Sequence, residues 1–509
     1  MQVPPPYKHR DSYALTDFES IYFKPKQTTG PEFYDRSNLS RKVGLVGVGF
    51  AVLFSLFCIF EGIMIFLSKN AISSGVVVVS LGHGWQKELL CLGLNLMVTA
   101  CTEATGFVHG ISLRSALAAE RRLRFNTNLR LLSAASGFFN PNGTFFNIVM
   151  AILLIVSYSS SLLVALSVDM DSSSGISEEG VAICVSDVPL IVLGISLLLQ
   201  AIIALTGMRA ADILTWSSSP FDITAALVHH AQIIPEPGRC MRGVRDGSSR
   251  GPTVPLSKQP SAWRAHPSVR KVILTLWALV VSCGVWGIIM MTLSDRDMAR
   301  AFQSWSFFPH PQSHVIAYSI PLPGGVYWFY WVLYYVNMAI IQGPLTLALH
   351  CSELVANVIR DERVWRKASS PGGATVSTNP LAPVFGSPLN ISLLLAKPLL
   401  HWMLGLAISL AGTAESGFLT AIAVSMFPFQ ILNFAGALFI FSLSFTIIAF
   451  CRPKGPQPAA YGHVQTLANL IDEWSPTMWW GQKSGGFPFR HAGTSDYCLP
   501  KVDMNMLYA

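Results

Sequence analysis

Charge is what this chain of 509 residues has least of: Asp, Glu, Lys and Arg make up 12% of it, about half the roughly 25% of an ordinary soluble domain. With 51% of the residues apolar, too little polar surface remains to clothe a water-soluble fold, so a single soluble domain is excluded. Cysteine pairing is missing as well. No two of the nine cysteines are spaced as C-x-x-C, which excludes the common zinc and dithiol motifs. Only Cys184 is expected on an oxidising side, so no disulfide framework is implied. Several catalytic signatures are absent too: there is no Gly-rich phosphate loop, no His-Glu-x-x-His and no kinase-type set. The adjacent His229 and His230 suit a metal poorly, because neighbouring helical side chains diverge. The chain is therefore expected not to be an enzyme and to use no cofactor or metal. A cleavable signal peptide is not expected either, since the first 42 residues are polar and the first apolar run is too long for one.

What the chain does have is long apolar runs. Eight segments meet the length and polarity needed to cross a bilayer: Val43 to Leu67, Leu89 to Ile111, Phe145 to Val168, Pro189 to Met208, Val272 to Leu293, Val326 to Leu349, Ile391 to Gly412 and Gln430 to Cys451. All are read as helices, because an isolated strand cannot satisfy its own backbone in hydrocarbon and the alternation of a barrel strand is absent. Two short runs are ambiguous. Val76 to Val79 could extend the second span, and Phe418 to Phe427 reads as a partial span or an outer-leaflet helix.

Cations then orient the spans. Thirty of the 35 Lys and Arg fall in the two tails and in the loops after spans two, four and six, the pattern of cytosolic flanks. Both termini are thus expected in the cytosol of an integral, multi-pass membrane protein, with the plasma membrane slightly favoured over internal membranes. Asn-x-Ser/Thr triplets at Asn38, Asn142 and Asn390 fall on that side and are expected to be unglycosylated. Beyond the lipid bilayer itself, the basic loops are expected to touch anionic lipid rather than nucleic acid, and no protein partner is named by any motif.

The two halves resemble each other at an offset near 240 residues. Arg41, Lys42 and Val43 recur as Arg270, Lys271 and Val272; Thr105, His109 and Leu113 as Thr346, His350 and Leu354; Ala182, Ile183, Val185, Ser186 and Pro189 as Ala421, Ile422, Val424, Ser425 and Pro428. Collinear matches of this kind mark an internal duplication. An even number of spans per copy gives both copies the same orientation. The expected fold is an all-α integral membrane protein of about eight transmembrane helices, arranged as two same-orientation four-helix repeats. Its parts are a cytosolic N-terminal tail (1–42), a first repeat (43–211), a partly disordered linker rich in Pro and Gly (212–270), a second repeat (271–452) and a cytosolic C-terminal tail (453–509). Ser369 to Pro388 reads like the linker. Spans two and six are expected to project beyond the membrane as helices, and the tail, with Val464, Leu467, Ala468, Ile471 and Trp474 on one face, is expected to dock on the loops or the membrane surface.

Leu113, Arg114, Ala116 and Leu117, the run Phe125, Asn126, Thr127, Asn128, Leu129, Arg130, the stretch from Gly462 and His463 to Trp474, Trp479 and Trp480, and His491 to Ser495 resemble signatures of fungal multi-pass membrane proteins of unknown function. The resemblance runs from span one to the tail. It implies the same topology and transfers no activity.

Ionised side chains inside the bilayer cost about 2.5 to 3.5 kcal/mol each on insertion scales, so each is a candidate site. Glu61 lies near the outer end of span one and can reach headgroups. Glu103 on span two and Lys397 on span seven lie at matching depths, and pairing across the halves would spare the cost of burying them separately. The alternative is that Lys397 snorkels inward while Glu103 is protonated or bonded to Thr99, Thr102 or Arg114. His109 and His401 add a conceivable proton relay with Glu103, against plain hydrogen bonding near an interface. Asn95, Gln200, Asn337 and Gln342 read as interhelical hydrogen bonds, and Ser157 to Ser161 as a close-packing surface. Cys240 and Cys451 read as plain thiols or acylation sites. Two functions stay open: a transporter- or channel-like protein with a polar site between the repeats, or a non-catalytic scaffold or sensor acting through its cytosolic loops and tail.

Overall fold

A computed structural model describes residues 30–509 except 36–37, 69–75, 82–83, 171–180, 248, 250, 295–304, 310–314, 322–327, 377–385, 416–417 and 485–488. Most of the N-terminal tail, the middle of the Ser369 to Pro388 stretch and the side chain of Cys184 lie outside what is described. The first half holds α1 (Leu39–Leu67), α2 (Gly84–Ala119), α3 (Thr144–Leu163) and α4 (Asp187–Arg209). A short α5 (Pro220–His229) follows. The second half holds α6 (Pro267–Ser294), α7 (Trp328–Arg366), α8 (Pro388–Ala407) and α9 (Pro428–Phe450). All of these but α5 are long and apolar enough to cross a membrane, which fits a polytopic membrane protein.

Local chemistry sets the helix ends. Pro388 and Pro428 open α8 and α9 at positions where a missing N–H costs nothing. Asp187 and Arg209 sit at the ends of α4 that suit their charge. Gly194 lets α4 press on α1, since a Cβ there would stand 2.5 Å from the Ser55 carbonyl. Outward faces carry exposed Leu53, Phe57, Phe60, Leu274, Ile340 and Ile447, as hydrocarbon contact requires. Within the first half α4 packs on α1, α3 and α2; within the second, α9 packs on α6 and α8. The halves meet reciprocally, α3 on α7 and α2 on α8.

Strands were not expected, and nine are present among the described residues. β1 (Val76–Leu81), β2 (Ala165–Met170), β3 (Val181–Ser186), β4 (Ile316–Pro321), β6 (Ile408–Glu415) and β7 (Phe418–Met426) form one six-stranded sheet in the order β1-β3-β2-β6-β7-β4. Both ambiguous runs are therefore strands, and span seven ends at Ala407 rather than Gly412. Within each half the pairing is antiparallel, and between halves β2 and β6 pair in parallel, with Ser167 opposite Ala411. Pairing with neighbours satisfies the backbone that an isolated strand would leave open.

At the opposite end a compact module is built from parts that the sequence suggested were loose. The linker residues Phe221 and Cys240, Trp365 at the end of α7, and the tail residues Leu467, Trp474, Trp480 and Tyr508 share one core. The linker is thus largely packed rather than disordered: α5 is buried along most of its length, and Thr253 bridges to Tyr508. The tail adds α10 (Val464–Leu470), and its β8 (Thr477–Ser484) and β9 (His491–Ser495) form a three-stranded sheet with β5 (Ala374–Thr375) from the stretch after α7. It docks on the loops.

Two buried carboxylates of α7 clamp it. Glu362 accepts hydrogen bonds from the backbone N–H groups of Ala460 and Tyr461 at 2.9 and 2.8 Å. Asp361 lies against Gly462, where φ is +72° and a Cβ would stand 2.6 Å from the carboxylate, so only glycine fits. In the same module His491 Nε2 lies 3.1 Å from Asp472 Oδ2. Burial alone would lower the His491 pKa, but its bonds to Asp472 and Cys240 prevail and it is pushed up to about 10. Cys240 itself is buried and its Sγ lies 3.2 Å from the backbone oxygen of Ala509, which removes it as an exposed acylation site.

Candidate functional site

Four ionisable side chains from three helices converge where the halves meet. Lys397 is the tenth residue of the 20-residue α8, so near mid-bilayer its ammonium must find anions or pay desolvation. It finds two. Lys397 Nζ donates to Glu103 Oε1 of α2 at 2.5 Å and also to Glu353 Oε1 of α7. His350, one turn before Glu353, places Nδ1 3.2 Å from Glu353 Oε1 and 3.7 Å from Glu103 Oε1. The Lys397 side chain is 1% exposed, while those of Glu103 and Glu353 are 30% and 24% exposed. The cation is sealed in and the carboxylates face open space.

Glu103, His350 and Glu353 are also a plausible donor set for a metal, with ligand atoms within 4.8 Å of one another. The Lys397 ammonium is hydrogen-bonded to both carboxylates, so it already neutralises the position a divalent ion would need.

The open space is a cavity of about 570 Å³ between α1, α2, α7 and α8, within the range of small-molecule sites. The charged cluster forms its end toward the sheet. Gly44, Ala104, Phe107, Leu354 and Leu394 supply apolar walls, and the loop from Asn126 to Leu131 lines the end near the module. That loop is pinned: Arg114 Nη1 donates to Asn126 Oδ1 at 2.8 Å and Asn126 Nδ2 to Asp361 Oδ2 at 2.8 Å.

From the loop Arg130 lies back along α2. A Cβ on Gly106 would fall 1.6 Å from Arg130 Nη1, and one on Gly110 4.0 Å from its Cδ. Two glycines one turn apart thus make the track the guanidinium rests in. Among the described residues Arg130 has no hydrogen bond or ion pair, although its charge acts on Glu353.

Toward the sheet the cavity gives way to packed polar side chains. The Tyr158 ring of α3 stacks on His401 of α8 with centroids 3.8 Å apart. The Tyr158 hydroxyl meets Thr99 Oγ1 at 2.9 Å, His401 Nδ1 meets Gln342 Nε2 at 3.0 Å, and Ser161 Oγ donates to Asn95 Oδ1 at 3.1 Å. Beyond them lies a second cavity of about 30 Å³ lined by Lys87, Glu88, Asn95 and Trp402 among others. Asn95 lines the small cavity and Ala100 the large one, a separation of roughly 7.5 Å along α2 at 1.5 Å per residue. Pro344 and Pro398 interrupt α7 and α8 beside this layer, where a missing N–H allows a helix to bend.

No family model, curated protein or solved structure matches this chain. Its function must be read from the geometry.

Of the residues singled out from sequence, Glu103 and Lys397 are in direct contact and His401 lies in the adjoining stack. His109 is buried and neither of its ring nitrogens has a hydrogen-bond partner among the described residues, so no bonded relay among them joins it to Glu103 or His401. Glu61 is half-buried on α1 and does not line the large cavity. Glu353 was missed because span six was closed at Leu349, which assigned this carboxylate to the projecting helix; the i,i+3 pair of His350 and Glu353 was the available signal. Arg130 was missed because only the glycine spacing on another helix marks its place.

Proposed function

We propose that the protein is carrier-like, with a solute pathway running between two same-orientation four-helix halves and a gate formed by Lys397 with Glu103 and Glu353. One observation carries this reading: a large cavity ends on a charged cluster, and a thin, closed layer of polar side chains separates it from a smaller cavity on the far side. Buried polar residues are costly in a bilayer unless they pair or serve a path, and here they line up along one. The reciprocal contacts of α3 with α7 and α2 with α8, and the parallel pairing of β2 with β6, are what a two-fold axis along the membrane normal produces, and they support a duplicated origin. The charge distribution supports a cytosolic module, and with it a cavity that faces inward.

The test is side-specific labelling by a membrane-impermeant thiol reagent, in proteoliposomes, with Cys91 or Ala104→Cys as the only thiol. The module side should reach position 104, and Lys397→Met should open Cys91 to the module side. A pathway is excluded if position 104 is unreactive from both sides.

The packed module favours a second reading, a sensor. Removal of residues 464–509 that leaves labelling unchanged while abolishing the cellular phenotype would support it.

A further inference from the structure

We infer that the large cavity binds a single-chain amphipathic anion, a carboxylate or phosphate head on an apolar chain, with Arg130 as its headgroup receptor. The inference rests on reading the cavity as the binding site of the pathway, and it names the ligand class.

The argument starts from charge. Lys397 is consumed by its two carboxylates. Arg114 is consumed by Asn126 and the carbonyls of Thr215 and Ser217, and Arg360 by Asp361 and the carbonyl of Ser218. Arg130 alone among these cavity cations has no hydrogen bond or ion pair among the described residues, although its charge reaches Glu353, and the glycine track seats its guanidinium along the cavity wall. A planar guanidinium matches carboxylate and phosphate oxygens in a bidentate fashion. The carboxylates of Glu103 and Glu353 stand on the sheet side of it, so a second anion is favoured beside Arg130 and disfavoured deeper in.

The walls then select the rest of the ligand. Ala104 and Phe107 of α2, Gly44 and Val43 of α1, and Leu394 of α8 give an apolar lining. Ala100 lines the cavity and is exposed, which fits an entrance from the hydrocarbon side. An apolar chain can enter there without crossing water, its head following to Arg130. A small hydrophilic anion would gain nothing from these walls, and a neutral lipid would leave Arg130 unmatched.

The test uses the full-length protein in nanodiscs of neutral lipid and measures equilibrium binding of three radiolabelled probes: hexadecanoate, a lysophosphatidate and hexadecanol. Both anions, or one of them, should bind saturably, and hexadecanol at least tenfold more weakly; which anion wins identifies a carboxylate or phosphate head. Arg130→Gln should lower anion binding at least tenfold, with Arg130→Lys losing less. Gly106→Ala supplies a check independent of charge removal, because its Cβ must displace the guanidinium while the helix is retained, and it should weaken the anions alone. Equal binding of hexadecanol, or unchanged anion binding in both Arg130→Gln and Gly106→Ala, overturns the proposal. Binding without the labelling pattern above would sink the carrier reading and leave the ligand assignment standing; that pattern without binding would do the reverse.

Discussion

Lys397→Met removes one ammonium and strands two carboxylates. The oxygens of Glu103 and Glu353 lie within 4.8 Å of each other, so at an effective dielectric of about 20 their repulsion is on the order of 3 to 4 kcal/mol. Removal of one partner from a buried ion pair costs a similar 3 to 5 kcal/mol, roughly. The two figures describe the same loss and do not add. Replacing the whole cluster by neutral groups of similar shape is, by contrast, often neutral or stabilising. Lys397→Met should therefore lower unfolding free energy by about 3 to 5 kcal/mol. The triple variant Glu103→Gln, Glu353→Gln, Lys397→Met should regain most of that. Denaturant unfolding of purified protein in mixed micelles, followed by intrinsic fluorescence, reads both. If the triple variant is less stable than Lys397→Met, or if the three single losses simply add, the three side chains do not act as one electrostatic unit and the gate loses its physical basis.

With Lys397→Ala the vacated position is bordered by two carboxylates and an imidazole, so zinc should raise the melting temperature of that variant and leave the wild type unmoved; a ligand that binds only the folded state stabilises it. His491, whose pKa is raised from 6.5 to about 10, stabilises the module fully below pH 6.5, and that contribution is lost as pH rises through about 10. Hydrogen-exchange protection across β9, taken relative to the intrinsic rate at each pH, should fall over that window, and the fall should vanish in His491→Asn. Gly462→Ala forces a side chain onto φ +72° against Asp361 and should cost about 1 to 3 kcal/mol, seen as faster proteolysis of the tail with the membrane helices intact.

Spans were legible because about 20 uncharged residues in a row admit few alternatives. The sheet was not. Val76–Leu81 and Phe418–Met426 are short apolar runs, and periodicity cannot separate a short buried strand from a helical segment; what decides them is pairing, of the first with the distant Val181–Ser186 and of the second with both its neighbour Ile408–Glu415 and the distant Ile316–Pro321. Glu103 and Lys397 were visible from their isolation among apolar neighbours. Glu353 and Arg130 were hidden because they lie among ordinary charged residues in sequence, and only the length of α7 and the fold of the 126–131 loop bring them to the cavity. The linker's Pro and Gly content signalled breaks in regular structure, which is not the same as absence of packing, since Phe221 and Cys240 are buried.

Helix α7 passes without interruption from the cluster residues His350 and Glu353 to Asp361, Glu362 and Trp365 in the module. From Pro344 to Trp365 is 21 residues, a rod of roughly 31 Å at 1.5 Å per residue. A tilt of about 10° at the proline would swing its far end by roughly 5 Å, enough to unseat the loop that Glu362 and Asp361 hold. Gate and module are thus two ends of one lever, and whatever grips the module from outside holds a handle on the ion cluster inside the membrane.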